Sequence, residues 1–191
     1  MGVSGEINKQ LQEKRIMNNC IQNKQITYRT TDNQSDYVIR NLRESEIRLL
    51  DDFLYEAIFI PKGTEVPHRD IINKPELRVY IEDFGTRKGD NCLVADLGGK
   101  VEGAVWTRIM NDYGHVDDNT PSFAISLLKP YRGKGIGTHL MAEMLELLKW
   151  QGYRQASLAV QKANYAVKMY YNVGFKTVKE TDEEYIMVCE L

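Results

Sequence analysis

The chain has 191 residues and a mass of 22.0 kDa, enough for one sizeable hydrophobic core and short for two. Hydrophobic residues make up 42% and charged residues 27%, and the net charge of −2 argues against a nucleic-acid partner, which calls for a basic face. No apolar run approaches a membrane span, so no membrane partner is expected, and "MGVSGE" matches a myristoylation signal only as far as Gly2 because Glu6 stands where Ser or Thr is required.

In chain order, residues 1–35 are polar, rich in Asn, Gln and Lys, with few apolar anchors (Ile7, Leu11, Ile16, Met17). They read as an arm, mobile or weakly helical, that is dispensable for a folded domain over residues 36–191. "YVIR" from Tyr37 reads as a strand, after which Ile47, Leu50, Leu54, Ala57 and Ile58 share one helical face. Leu77, Tyr80, Ile81 and Phe84 repeat that spacing between Pro75 and Gly85, which predicts a second helix. "NCLVADLGGKVEGAVWTRIM" then holds two β-rich runs around Gly98-Gly99, a dipeptide suited to a tight hairpin turn. The loop "GHVDDNTP" leads to the strand "SFAISLL", a glycine-rich stretch and a long helix. That helix buries Ile136, Leu140, Met141, Met144, Leu145 and Leu148 and leaves His139, Glu143, Glu146 and Lys149 outside. After Gly152 come the strand "QASLAV", a helix carrying Ala166, Met169, Tyr170 and Val173 on one face, and a closing hairpin of "FKTVKE" and "YIMVCE". The order predicts one α/β domain. Cys20, Cys92 and Cys189, odd in number and without metal-ligand spacing, read as reduced thiols of a cytoplasmic protein with no metal.

Gly133, Gly135 and Gly137 stand at every second position just before the long helix, behind Arg132 and around Lys134. A helix start presents unpaired N–H groups and partial positive charge, so a strand, a glycine turn and a helix together suit an anion such as a pyrophosphate. A P-loop would need Gly-Lys-Ser/Thr, and the dinucleotide fingerprint would need glycine at position 138, which is Thr138; a generic nucleotide binder fits neither. Arg132-x-x-Gly135-x-Gly137 instead resembles the acetyl-CoA-binding motif of the GNAT (GCN5-related) N-acetyltransferase superfamily. "SLAVQKANYAVKMYYNVGF" resembles the second signature of that family, a strand followed by Asn and then Ala-x-x-Met-Tyr-x-x-x-Gly-Phe.

The resemblance, which runs from Tyr37 to Leu191, implies an α/β fold with a mixed, twisted sheet splayed between its fourth and fifth strands and flanked by helices. It implies a β-bulge near Ser126 and Leu127 and a Leu127 N–H that faces the acetyl carbonyl. Leu127, Leu128 and Lys129 would pair with the pantetheine arm, and backbone N–H groups of Arg132, Gly133, Lys134, Gly135, Ile136, Gly137 and Thr138 would hold the pyrophosphate, with exposed charge from Arg132 and Lys134. Asn164 either touches the pantetheine side or simply caps its helix. Tyr170 either protonates the departing sulfur or is a core aromatic.

Acetyl transfer also needs a neutral amine, and a lysine-type amine is neutral to only roughly 0.04% at pH 7. Many relatives carry an acid where this chain has Ser122, so the base is open among Glu102, Asp117, Asp118, His115, His68 and water. Without a Ser/His/Asp or Cys/His arrangement, direct attack by the amine in a ternary complex is expected. The acceptor would be a small-molecule amine or a peptide amine, met by Tyr55, Phe59, Tyr80, Trp106 or Tyr113, and a homodimer is possible. The alternative is an acyl-CoA-binding sensing or scaffold module with little catalysis.

Overall fold

The structure, a computed structural model, describes residues 25–191, and the readings made for residues 1–24 lie outside the described part. Eight strands form one sheet in the order β1-β2-β3-β4-β5-β6-β8-β7. They are β1 (Ile26–Arg29), β2 (Asp36–Asn41), β3 (Asn91–Leu97), β4 (Lys100–Arg108), β5 (Ser122–Leu127), β6 (Gln155–Gln161), β7 (Lys176–Glu180) and β8 (Glu184–Glu190). Every neighbouring pair is antiparallel except β5 and β6, which run parallel and meet in one bridge, Ser122 with Ser157.

Helices cover both faces. On one, α1 (Leu49–Ala57) packs Leu50, Phe53 and Leu54, and the 3₁₀ turn Arg69–Asn73, the short α2 (Pro75–Arg78) and the turns after it bring Ile72, Ile81 and Phe84, all on Cys92, Val94, Ala104 and Trp106. On the other, α3 (Ile136–Trp150) and α4 (Val167–Asn172) pack on Leu93, Ala95, Val105 and Phe123. Alternation sends successive residues of β3 and β4 to opposite cores, which is why those strands read as continuous apolar runs. The six apolar residues predicted to form the inner stripe of α3 are all buried. The Gly98-Gly99 turn has φ of 62° and 92°, the left-handed pair that a two-residue hairpin requires.

Three expectations need correction. First, the folded part starts before residue 36: Ile26–Arg29 pairs with Asp36–Ile39 as an edge strand. Its Tyr28 ring stacks on His139 at 4.4 Å and its hydroxyl donates to Glu143, so these two α3 residues lie half-buried beneath it rather than in solvent. Second, the predicted second helix is one turn long. Arg108, fully buried, draws the carbonyls of Val79 (3.0 Å) and Glu82 (2.6 Å) to its guanidinium, and Asp83 turns to φ 48°. Hydrogen-bonded turns replace the helix while Ile81 and Phe84 stay in the core. Third, the β4–β5 register runs unbroken from Gly103–Leu127 to Arg108–Ser122, so the bulge does not lie near Ser126 and Leu127. It lies one strand away, where Ala95 pairs with Gly103 and Asp96 with Val101, leaving Glu102 as the extra residue.

Candidate active site

The sheet opens beyond the Ser122–Ser157 bridge, which is the split expected from the resemblance, now between the fifth and sixth strands because β1 is added ahead. Antiparallel pairing alternates the direction of backbone groups along β5. Leu128 N–H donates to the Glu102 carbonyl at 2.9 Å, so N–H groups of even-numbered residues point to β4 and those of Ile125 and Leu127 point into the split. Leu127 therefore offers a donor there. Its carbonyl is taken by Arg132 Nε at 2.8 Å, and Lys129 opens a 3₁₀ turn (Lys129–Tyr131), so Leu127–Lys129 is a shorter pairing edge than expected.

Arg132 departs from its expected role as an exposed charge. Besides the Leu127 carbonyl, its guanidinium contacts Glu56 Oε2 at 2.6 Å and the Glu56 carbonyl at 3.2 Å, tying the end of α1 to the end of β5. Gly133 and Gly135 have φ of 74° and 83°, left-handed angles that favour glycine, with Gly135 as the N-cap of α3. Their surroundings differ. A Cβ on Gly133 would meet nothing within 4 Å, whereas one on Gly135 would lie 2.7 Å from the Thr31 methyl. One on Gly137 would lie 3.2 Å from Met169 Sδ and 3.3 Å from Leu127 Cδ1. The missing side chain at Gly137 thus serves the close contact of α3 with α4 and β5, and only Gly133 faces open space. The first turn of α3, from Ile136 through Gly137 and Thr138, carries the N–H groups left unpaired at a helix start.

Tyr170 sits on α4 in the core, edge-on to Phe175 at a centroid distance of 6.2 Å. Burial pushes its phenol well above the ordinary tyrosine value, so it stays protonated at neutral pH. Among the described residues none is hydrogen-bonded to its hydroxyl. Asn164 Oδ1 accepts from Ala166 N–H at 2.9 Å, closing a turn just ahead of α4, whose N-cap is Ala166. Tyr171 is exposed and bonded to Thr177.

The candidate bases separate by position. His68 is 84% exposed beside Asp70, and Asp118 is 97% exposed. Asp117 is held by Asn119 N–H, Thr120 Oγ1 and Gln155 Nε2, and His115 Nδ1 is bonded to the Met110 carbonyl. Glu102 is only 9% exposed, stands beside Leu128, and faces the α1 side of the sheet, because Gly103 after it faces Leu127 and Leu140. No described group is hydrogen-bonded to its carboxylate. A further carboxylate, Asp112, escaped the sequence reading. It accepts from Ser122 Oγ at 2.8 Å and from Tyr80 Oη at 2.7 Å, and Ser122 Oγ also meets Ser157 Oγ at 3.2 Å. An acid thus reaches the neighbourhood of Ser122 from a loop ten positions upstream, a placement with no local sequence signal. Burial first, then the Asp112 charge and hydrogen bond, push the Tyr80 phenol well up. Of the aromatics named for an acceptor pocket, Trp106 is 1% exposed in the core and Tyr55 donates to the Pro67 carbonyl, while Tyr80 and the exposed Tyr113 border the Asp112 loop.

Among the described residues no group of three or more His, Cys, Asp or Glu could hold a metal ion, and no helix is long and apolar enough to cross a membrane. Cys92 and Cys189 are buried free thiols.

Comparison with known proteins supplies the context. "N-acetyltransferase 8" of Rattus norvegicus is 28% identical over 103 residues, 53% of this chain and 45% of that protein, so the chain spans less than half of this relative. The GNAT domain of S. lividans PAT superposes with a TM-score of 0.66 at 14% identity, covering 87% of this chain and 97% of that one. The paia N-acetyltransferase of Thermoplasma acidophilum, solved in complex with coenzyme A, gives 0.60 at 20% identity over 80% and 98%. Both superpositions show the fold. The profile of the acetyltransferase (GNAT) family matches residues 55–175, more than half of the chain, from the end of α1 through the split, the glycine turn and α4. With that match and that architecture, this chain is a member of the GNAT acetyltransferase family.

Proposed function

We propose that the protein is an acetyl-CoA-dependent N-acetyltransferase in which a primary amine attacks the thioester directly. What supports this reading is the Leu127 N–H directed into the split, together with the glycine-led start of α3, which at Gly137 packs closely on Leu127 and on Met169, the neighbour of Tyr170 on α4. These residues fit the cosubstrate, which supplies an activated acetyl group. Backbone N–H groups from Gly133 to Thr138 hold the pyrophosphate, with Gly133 on the open side. The Leu127 N–H takes the carbonyl oxygen on which negative charge develops.

The acceptor approaches from the α1–α2 face. Glu102 removes its proton, directly or through water. The nitrogen then bonds to the acetyl carbon, the carbon–sulfur bond breaks, and Tyr170 gives its proton to the sulfur and recovers one from solvent. A proton on the product nitrogen leaves by the Glu102 route, so the amide and the free thiol are both neutral. Asp112, fixed by Tyr80 and Ser122 at the closed end of the split, sets a negative potential that favours an acceptor arriving as an ammonium.

Calorimetry with coenzyme A in the presence of a chelator, together with thiol release from acetyl-CoA across a panel of amines, tests this. The native chain should bind without metal and release thiol with at least one amine. Gly133→Glu, placing bulk and negative charge on the open side of the turn, should abolish binding without unfolding the chain. Undiminished affinity in that variant would refute the coenzyme assignment. Binding without thiol release from any amine would favour a sensing or scaffold module.

A further inference from the structure

The turn between β1 and β2 rests on the glycine turn. Thr31 N–H donates to the Lys134 carbonyl at 3.0 Å, the Thr31 methyl fills the space that a Cβ on Gly135 would need, and Asp32 Oδ2 lies 3.2 Å from Lys134 Nζ. Asp32 is itself held in place, accepting from Thr30 Oγ1 at 2.5 Å and from Gln34 N–H at 3.1 Å. These hydrogen bonds, foremost that from Thr30, and the Lys134 ammonium hold its carboxyl below the usual range, so it is ionised at neutral pH. Arg132 is neutralised in the same way by Glu56. Both cations of a turn suited to a pyrophosphate are therefore engaged by carboxylates of this chain.

We infer that Asp32 is an affinity-setting residue, an anionic latch that competes with the phosphates of the coenzyme for Lys134. The inference rests on the coenzyme assignment of the preceding section. The two contacts of the turn have different consequences. The Thr31 N–H bond to Lys134 and the fit of its methyl at Gly135 hold the loop in shape and need not be broken by a ligand on the open Gly133 side. The Asp32–Lys134 pair involves two side chains about one-third exposed, and it can be exchanged for a phosphate–Lys134 pair. When Lys134 turns to a phosphate, Asp32 remains near by as an uncompensated negative charge. Repulsion between that carboxylate and the ligand then sets a ceiling on affinity and speeds departure of the spent coenzyme. Because both charges reach solvent, the effect is screened by salt.

Asp32→Asn separates this role from a purely structural one, since the amide oxygen still accepts from Gln34 N–H and Thr30 Oγ1 and the turn keeps its shape. Coenzyme A is titrated by calorimetry into the native full chain and the variant at low and high ionic strength, alongside melting curves. The variant should bind about two- to fivefold more tightly at low salt, the range of an exposed charge pair. That advantage should shrink at high salt, with the melting temperature nearly unchanged. Equal or weaker binding by a variant that melts like the native chain overturns the latch and leaves the coenzyme assignment standing. Failure of the native chain to bind refutes the assignment, and the latch with it.

Discussion

The link between Arg108 and Asp90 invites the sharpest test of how the acceptor face is built. Arg108 and Asp90 are 0% and 1% exposed, joined by two hydrogen bonds of 2.7 and 2.8 Å, and the same guanidinium holds the carbonyls of Val79 and Glu82. Asp90→Asn replaces one acceptor of the pair by a donor and leaves a buried cation without its counterion. Breaking a buried pair from one side costs about 3–5 kcal/mol. The two carbonyls remain, which puts the cost near the lower end, about 3 kcal/mol, or roughly 6–12 °C in melting temperature for a chain of this size. The pH dependence carries a second signature. Burial alone would raise the Asp90 pKa, but hydrogen bonds from Arg108, Arg87 N–H and Gly85 N–H outweigh it, and the net shift is downward. A carboxyl with a lower pKa folded than unfolded stabilises above the unfolded value of about 3.9 and loses that contribution as the pH falls through its folded value. Thermal melts from pH 7 to pH 3 should therefore show the native chain converging on the variant under acid. A difference at pH 7 of less than about 2 °C, or parallel acid profiles, would refute the reasoning.

Tyr170→Phe keeps the ring against Phe175 and removes the hydroxyl, so coenzyme affinity should stay while turnover falls by about 10²–10⁴-fold, read as steady-state thiol release beside a melting curve; equal turnover would remove Tyr170 from the mechanism. Glu102→Gln should lower kcat/KM most at neutral pH and recover about tenfold per pH unit as the acceptor deprotonates on its own; a profile parallel to the native one would shift the role to water. Tyr28→Ala deletes the stacking on His139, worth about 0.5–1.5 kcal/mol, and a charge-assisted hydrogen bond to Glu143 worth about 1.5–3 kcal/mol, so the melting temperature should drop by roughly 4–18 °C. An unchanged melt would mean that β1 contributes nothing to the fold.

What could be read in advance was whatever repeats locally. The stripe Ile136–Leu140–Met144–Leu148 shows a helical period by itself, and Gly98-Gly99 announces its hairpin. β1 could not be read that way: Ile26 and Tyr28 are two apolar residues in a polar arm, and Tyr28 gains its partner Glu143 only through contact 115 positions away. The second helix was overestimated because its period is real while Arg108, from another strand, captures its carbonyls. The glycine pattern announced a turn at the start of α3 but not the separate reasons for each glycine, since Thr31 and Met169 are distant in sequence. Asp112 was invisible because its meeting with Ser122 depends on how a loop folds back.

The lone Ser122–Ser157 bridge makes the sheet two leaves bound along a spine, with α3 touching strands on both sides. Five strands form one leaf and three the other, and moving the leaves apart breaks almost none of the ladder. Solvent deuterium should report this as a zigzag along β5. The amides of Ala124 and Ser126, locked into β4, should exchange slowly, while those of Ile125 and Leu127, in the same strand, should exchange quickly. A ligand chain laid between the leaves would erase that alternation, with Leu127 slowing most, so the strand carries a built-in gauge of occupancy that needs no turnover to be read.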